Sequence, residues 1–425
     1  MDNLNTNSVV VAPEARGRGE TYCRGCNSVR MQSCLDLGNL PLANELWKTQ
    51  NQPIDLFPLH LRVCLDCGLG QVGEFVSPER LFSDYRYLSS VSSSFTQHAK
   101  KFVDSLVETG KVCKGDWVLE IASNDGYLLQ HFLPHKIEVL GIEPATNVSE
   151  IAERIGVPTI NSFFTQALAL ELLSKFGSPK LIIANNVLAH VPDLNDFLQG
   201  ISTLANDKTL ISIENPSLLN LLDANQFDTI YHEHYSYLTV TSVSRIASKL
   251  GLYLMDYEEI QTHGGSNRYW LSKKLPSEFQ IKIIELQSQN ELRSGIVSEE
   301  TWGVVSKNVK SLLLNFSKWL LDLSKDGSLI IGYGAAAKAS TIINAANIPL
   351  GGIKVIVDGS HEKQGRFMPT NGIPIVSPDE INQIEPTDII IFPWNIADEI
   401  LKTIEILAGK QIKIWTLIPE ITRIR

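Results

Sequence analysis

Apolar and polar positions alternate most regularly from Trp117 onward. There WVLEIA reads as a buried strand, NDGYLLQHFL as a turn and helix, and EVLGIEP as a second strand. The helix TNVSEIAERIG, a short VPTI strand, the helix TQALALELLSKFG, the strand KLIIANNV, a helix from Asp193 and the strand TLISIEN continue the pattern. Strand and helix in alternation predict a parallel, doubly wound α/β sheet, whose ligands bind at the carboxyl ends of its strands. A helix running to Leu250, then LYLMDYEEI and HGGSNRYWLS as a hairpin-like pair, bring the count to seven strands.

A polar amphipathic stretch from Ser277 to Ser324 predicts two helices and marks a linker. Alternation then restarts: SLIIGYGAAAKASTIINAA reads as strand, small-residue turn and helix, and KVIVDGS, DIIIFPW and IKIWTL as further strands of a second, Rossmann-like sheet. Upstream, SDYRYLSSVSSSFTQHAKKFVDSLVE predicts a Tyr- and Ser-rich turn feeding an amphipathic helix, with Tyr85 and Tyr87 at a junction where clefts tend to occur.

At 425 residues the chain has room for two or three domains. Its formal charge of −10 argues against nucleic-acid or anionic-membrane partners, so an anionic substrate has to be met by local groups. Apolar runs fall short of the roughly 18 residues of a membrane span. Residues 1–20 lack a basic start followed by an apolar core, which predicts a flexible tail and a cytoplasmic location; the chain is expected to be a monomer.

Four of the six cysteines form two knuckles, CRGC at Cys23 and Cys26 and CLDCG at Cys64 and Cys67; Cys34 and Cys113 stand alone. Paired CxxC knuckles predict a structural four-thiolate zinc site, with Gly68 supplying a permissive turn. The 37-residue interval between the pairs means that a small domain folds there, over residues 21–80. Closed coordination leaves no position for substrate, so chemistry lies elsewhere.

Glu120 closes the first strand of the central sheet and Glu143 the second. An acid at the second strand's end is placed to accept both hydroxyls of a ribose. The intervening ASNDG loop (Ala122, Ser123, Asn124, Gly126) keeps one glycine, which suits a nucleoside without phosphates, S-adenosylmethionine being the common one. Pro144, Asn185 and Asn186 lie at the same sheet edge, as does His190. In the second sheet, GYGAAAKA fits neither a Rossmann fingerprint nor a P-loop, yet its helix-start amides with Lys338 could hold a diphosphate. Lys363 and Arg366 read as part of a solvated turn.

The densest chemistry is DTIYHEHYSY, Asp228 to Tyr237. On an extended segment Tyr231 and Glu233 would share one face and His232 and His234 the other, unless a loop breaks that pairing. A self-satisfied polar turn is one reading; metal ligation is weakened by the lack of HExxH spacing; general acid–base work by a histidine is the functional one.

Taken together, CRGC, CLDCG, SDYRYLSS, LEIASNDGYLL, GIEP, ANNVLAHVPD, FDTIYHEHYSYL, HGGSNRYW, GYGAAAKA, VDGS-HEKQG and WN resemble the nucleotide-sugar C-methyltransferases that make branched deoxysugars. The resemblance implies a zinc module, a class I methyltransferase domain over residues 81–285 binding S-adenosylmethionine, and a Rossmann-like domain over 286–425 that helps hold a sugar nucleotide. It implies methylation beside the ketone of a 4-keto-6-deoxyhexose on thymidine diphosphate. The active-site residues fall on Tyr87, His190, Tyr231, Glu233 and His234, with His234 as base. The nucleotide-binding part falls around Tyr333, Gly334, Ala335, Lys338 and Asn395, with Arg268 as a further substrate contact. Ala339 stands where relatives often have Gly, and Phe367 where Tyr is frequent.

Overall fold

The computed structural model describes residues 21–82, 88–261, 264–349, 351–407 and 412–425. Tyr85, Tyr87 and the N-terminal tail therefore lie outside the described residues. Three sheets organise the rest.

The first module pairs β1 (Met31–Leu40), β2 (Phe57–Cys64) and β3 (Gly70–Gln71) antiparallel. The central sheet is built from β4 (Trp117–Ile121), β5 (Glu138–Ile142), β6 (Thr159–Ile160), β7 (Leu181–Asn185) and β8 (Leu210–Pro216), all parallel. Helices cover both faces of its centre, so every residue of LIIAN in β7 is buried. Next in the chain, β9 (Ser236–Tyr237) leaves this sheet and pairs with β3 instead. The antiparallel pair β10 (Tyr253–Ile260) and β11 (Ser266–Ser272) completes the order β10-β11-β8-β7-β4-β5-β6. Connections run in opposite directions from β4, so the crevice between β4 and β7 is the switch point where ligands of such sheets sit.

One element differs from expectation. The segment after the ASNDG loop holds two short 3-10 turns, Leu129–His131 and Leu133–His135, in place of an α-helix. Pro134 in the second turn and left-handed Lys136 at its end stop an α-helical ladder, while Leu128, Leu129 and Phe132 are still buried.

The two helices of the polar stretch are Glu278–Arg293 and Glu299–Lys325. The second spans from the first module to the third sheet, and a single apolar core joins Leu35 and Leu61, Leu218 and Phe227, Trp302 and Phe316, and Ile330 and Ile342. The third sheet comprises β12 (Ile330–Tyr333), β13 (Ile356–Val357), β14 (Ile375–Val376), β15 (Asp388–Ile391), β16 (Lys413–Thr416) and β17 (Thr422–Arg423). Their order, β14-β13-β12-β15-β16-β17, is parallel apart from β17 and again reverses direction at its first strand. Among the described residues no helix is long and apolar enough to cross a membrane.

The carboxyl edges of the two parallel sheets meet. Ser94, at the start of helix Ser93–Glu108, donates to Glu399 after β15 (3.1 Å), and the Trp394 indole donates to Asp228 (2.8 Å).

Candidate active site

The four knuckle sulfurs lie within 4.8 Å of one another, with Cys23–Cys67 and Cys26–Cys64 both at 3.5 Å. Zn–S bonds of about 2.3 Å in a tetrahedron place sulfurs roughly 3.8 Å apart, so the set fits zinc. Gly68 has φ +74, and its amide turns back to the Cys64 carbonyl (2.8 Å). That conformation is what a side chain there would strain.

At the edge of the central sheet, the turn after β4 places Ala122, Asn124 and Gly126 all at positive φ, which folds the loop tightly over the strand end. The Glu143 carboxylate, closing β5, accepts from the amides of Asn124 (3.0 Å) and Ala145 (2.9 Å). Burial nevertheless pushes its pKa up to about 7. Glu120 is held well above the usual carboxylate range by burial and by Asp125 and Glu143 beside it. Glu120 Oε2, Asn185 Oδ1 and Asn186 Nδ2 are buried with no hydrogen-bond partner among the described residues. Orphaned polar atoms facing a strand-end crevice fit a polar ligand, as a nucleoside cofactor would be. Ser123 packs beneath the loop, where a Cβ on Gly141 would come within 2.3 Å of its hydroxyl, and the Pro144 carbonyl accepts from Asn161 (3.0 Å). The backbone amides of Ser89 and Ser90 donate to Asn124 and Asp125, tying the start of helix Ser93–Glu108 to this loop.

The HEH segment is a turn and not an extended strand, because the His234 amide bonds back to the Tyr231 carbonyl (3.0 Å). The alternation expected for extended backbone is therefore replaced by contact between Tyr231 and His234. The Tyr231 hydroxyl lies 2.7 Å from His234 Nε2, and His234 Nδ1 lies 2.9 Å from the Thr229 carbonyl. A carbonyl only accepts, so Nδ1 carries the proton and Nε2 is the basic nitrogen of the neutral ring. His190, just past β7, donates from Nδ1 to the Glu233 carbonyl (2.8 Å), and its ring stands edge-on to His234 at 4.7 Å. Burial lowers the His190 pKa to about 4, so it is neutral near pH 7. The Glu233 carboxylate, 4% exposed, accepts from Asn44 of the first module, and burial raises its pKa. His232 points elsewhere, to the Phe57 carbonyl (3.2 Å). A small cavity beside His234 is lined by Pro216, Ser217, Gln226, Thr229 and Tyr237.

Tyr333, Gly334, Ala335, Lys338 and Asn395 all gather at the carboxyl edge of the third sheet; Asn395 Oδ1 is buried without a partner among the described residues. Lys338, with its side chain 15% exposed, lies 4.0 Å from Asp228 and 4.5 Å over the Trp394 ring. Its charge is thus matched inside the protein. Arg268 is not with this group. It donates to Glu214 on β8 (2.6 Å) and Glu258 on β10 (3.2 Å) and packs 4.0 Å over Phe102 of helix Ser93–Glu108. Burial opposes ionisation of Glu214, but His98 and Arg268 hold its pKa down to about 2.

Sequence reasoning left several of these partners unassigned: Asn44, His98, Glu214, Asp228 and Asp358. Only Asp358 carried a readable signal, an acid ending a second strand 25 residues after Tyr333, as Glu143 follows Glu120 by 23. Lys363, read as part of a solvated turn, bonds the Ala335 carbonyl at 3.0 Å.

Three family profiles match in succession: a zinc binding domain over residues 23–82, a methyltransferase domain over 97–257, and a C-methyltransferase C-terminal domain over 261–419. The C-methyltransferase NovU of Streptomyces niveus is 32% identical over 382 residues, covering 89% of this chain and 91% of that one. The chain belongs to the S-adenosylmethionine-dependent C-methyltransferases. Solved structures similar to parts of this C-methyltransferase include magnesium protoporphyrin IX methyltransferase from Synechocystis with bound SAM (13% identity, 42% of this chain and 79% of that one, TM-score 0.32). Another is a SAM-dependent methyltransferase from Anabaena variabilis (12%, 41% and 84%, TM-score 0.34). The C-methyltransferase's own strand order, β10-β11-β8-β7-β4-β5-β6, is that of the class I methyltransferase sheet.

Proposed function

We propose that this C-methyltransferase transfers methyl to the carbon beside the ketone of a nucleoside-diphosphate 4-keto-6-deoxy sugar, at carbon 3, through an enolate. The observation that carries the reading is the Tyr231–His234 pair, a hydroxyl seated on a nitrogen whose tautomer is fixed, at the same sheet edge as the cofactor strand ends. Such a proton is acidic only because its anion is delocalised onto the ketone oxygen, so the enzyme needs a base and oxygen-directed donors.

S-adenosylmethionine, held by Glu143, Glu120, Asn185 and the ASNDG loop, would supply an electrophilic methyl group. Through the Tyr231 hydroxyl, His234 Nε2 receives the carbon-bound proton, and Thr229 stabilises the imidazolium from the other nitrogen. Neutral His190, with Nδ1 spent on the Glu233 carbonyl, presents Nε2 as an acceptor for a sugar hydroxyl; Tyr87 remains the candidate donor to the ketone oxygen. Glu233 is locked to Asn44 and braces the turn. Zinc on Cys23, Cys26, Cys64 and Cys67 holds the module that supplies Asn44 and pairs with β9, and so acts on the fold and not on the reaction.

The test is incubation with S-adenosylmethionine and a thymidine diphosphate 4-keto-6-deoxyhexose, with the product read by NMR. A new methyl on carbon 3 supports the reading; a methyl on oxygen, or none, overturns it.

A further inference from the structure

The two parallel sheets of this chain end their second strands in the same way. Glu143, just past β5, accepts one amide from the loop after the sheet's first strand (Asn124, 3.0 Å) and one from two residues ahead (Ala145, 2.9 Å). Asp358, just past β13, accepts one amide from the loop after that sheet's first strand (Ala335, 2.8 Å) and one from two residues ahead (Ser360, 2.8 Å). Both β5 and β13 lie beside their first strand on the side away from the switch point. A carboxylate offers about four lone-pair sites, so two remain on Glu143 and one on Asp358, whose Oδ2 also accepts from the Lys363 ammonium (3.4 Å). The Asp358 side chain is 12% exposed, enough to be met from the crevice.

The two cradles differ in charge. Glu143 has Glu120 and Asp125 as electrostatic neighbours, a surrounding suited to a ligand that carries positive charge, as a sulfonium does. At Asp358, the Lys363 ammonium lies 3.4 Å from the carboxylate and donates to the Ala335 carbonyl (3.0 Å), adding a cation on the loop where phosphates would pass. Gly334, at φ +91, keeps this loop close to Pro393, which a Cβ would strike at 2.4 Å. An acidic cradle with no cation among its electrostatic neighbours in the described residues, and a cation-bearing one, are the complementary sites for two nucleosides of opposite charge.

We infer that Asp358 is the pentose-recognising group of the third sheet, accepting a hydrogen bond from the 3′-hydroxyl of a nucleoside diphosphate, with Lys363 offsetting the phosphate charge. The inference rests on the sugar-nucleotide reading above and adds to it the group that reads the nucleoside.

The test is calorimetric titration of the wild-type chain and Asp358→Asn with thymidine diphosphate and with 3′-deoxythymidine diphosphate, which lacks only the hydroxyl in question, with S-adenosylhomocysteine as a parallel ligand. Loss of a hydrogen bond to a charged group weakens binding about ten- to a hundredfold. The wild type is expected to show that loss between the two ligands, Asp358→Asn to bind both equally weakly, and S-adenosylhomocysteine affinity to stay unchanged. Equal affinity of the wild type for the two ligands, or the same discrimination by Asp358→Asn, overturns the inference and leaves the sugar-nucleotide reading standing. If the wild type binds S-adenosylhomocysteine but no thymidine diphosphate, both fail. Where the variant does not fold, equal binding of the two ligands by the wild type still overturns the inference.

Discussion

The Tyr231 hydroxyl sits 2.7 Å from His234 Nε2 while the other nitrogen of that ring is tied to the Thr229 carbonyl at 2.9 Å. A ring held from both sides cannot flip, so the pair presents one proton acceptor in one orientation. Thr229 is in turn held from the third sheet: the neighbouring Asp228 accepts from Trp394 (2.8 Å), and Thr341 donates to the next carbonyl, Ile230 (3.2 Å). Contacts from the third sheet therefore hold the turn that carries His234.

That arrangement makes Asp228 a positioning residue whose charge matters mainly to Lys338. Burial raises the Asp228 pKa and lowers that of Lys338, each charge being tolerated because of the other. Asp228→Asn should lower stability in urea unfolding by about 1–3 kcal/mol, since a buried ammonium loses its counter-charge. Adding Lys338→Met should recover much of that loss, because replacing both partners leaves no unpaired charge. Additive losses would show that the two do not interact.

For the metal, Cys64→Ser removes one of four thiolates. Metal analysis of the purified variant should show zinc content well below the roughly one ion per chain expected of the wild type, with a lowered melting temperature. A metal-free wild type would contradict the assignment.

Removing the Glu143 carboxylate should weaken cofactor binding about ten- to a hundredfold, read as S-adenosylhomocysteine affinity in Glu143→Gln, which keeps one acceptor for the Asn124 or Ala145 amide. Unchanged affinity would place the ribose elsewhere.

Much of this was legible from local pattern. Strands such as LIIAN announce themselves because both faces are covered, and the Glu143 position follows from strand-end geometry within one βα unit. What was not legible depends on contacts far apart in sequence. The two-residue strand Ser236–Tyr237 is too short for any periodicity, and it joins the zinc module because Gly70 and Gln71 lie opposite it. Likewise, the partners of Lys338 and Arg268 were not legible: Asp228 lies beside the first, and Glu214 and Glu258 enclose the second. The HEH turn departs from extended facing for a local reason: the bond from the His234 amide to the Tyr231 carbonyl, three residues back, closes the turn.

Acid should destabilise the fold through its neutral histidines. Burial lowers His190 and His232 to about 4, below the ordinary value of about 6.5 for an unfolded chain. Between those values the unfolded state binds more protons at these two groups, so their contribution to stability is full above about pH 6.5 and falls as pH drops toward 4. Each group contributes a slope of about 1.4 kcal/mol per pH unit. Glu143, raised to about 7, acts in the opposite sense, so the histidine contribution is read by difference: between pH 7.5 and 5 the unfolding midpoint of the wild type should fall relative to that of His232→Asn, and an unchanged difference would mean that His232 is not the group titrating.

The most direct measurement is hydrogen exchange at the carbon beside the ketone, followed by NMR in deuterium oxide with S-adenosylhomocysteine in place of the methyl donor. The wild type should exchange that hydrogen without methylating, and His234→Asn should lose exchange and methylation together, by about a hundred- to ten-thousandfold. A His234→Asn variant that exchanges at the wild-type rate while its methylation collapses would contradict the account and place the base elsewhere.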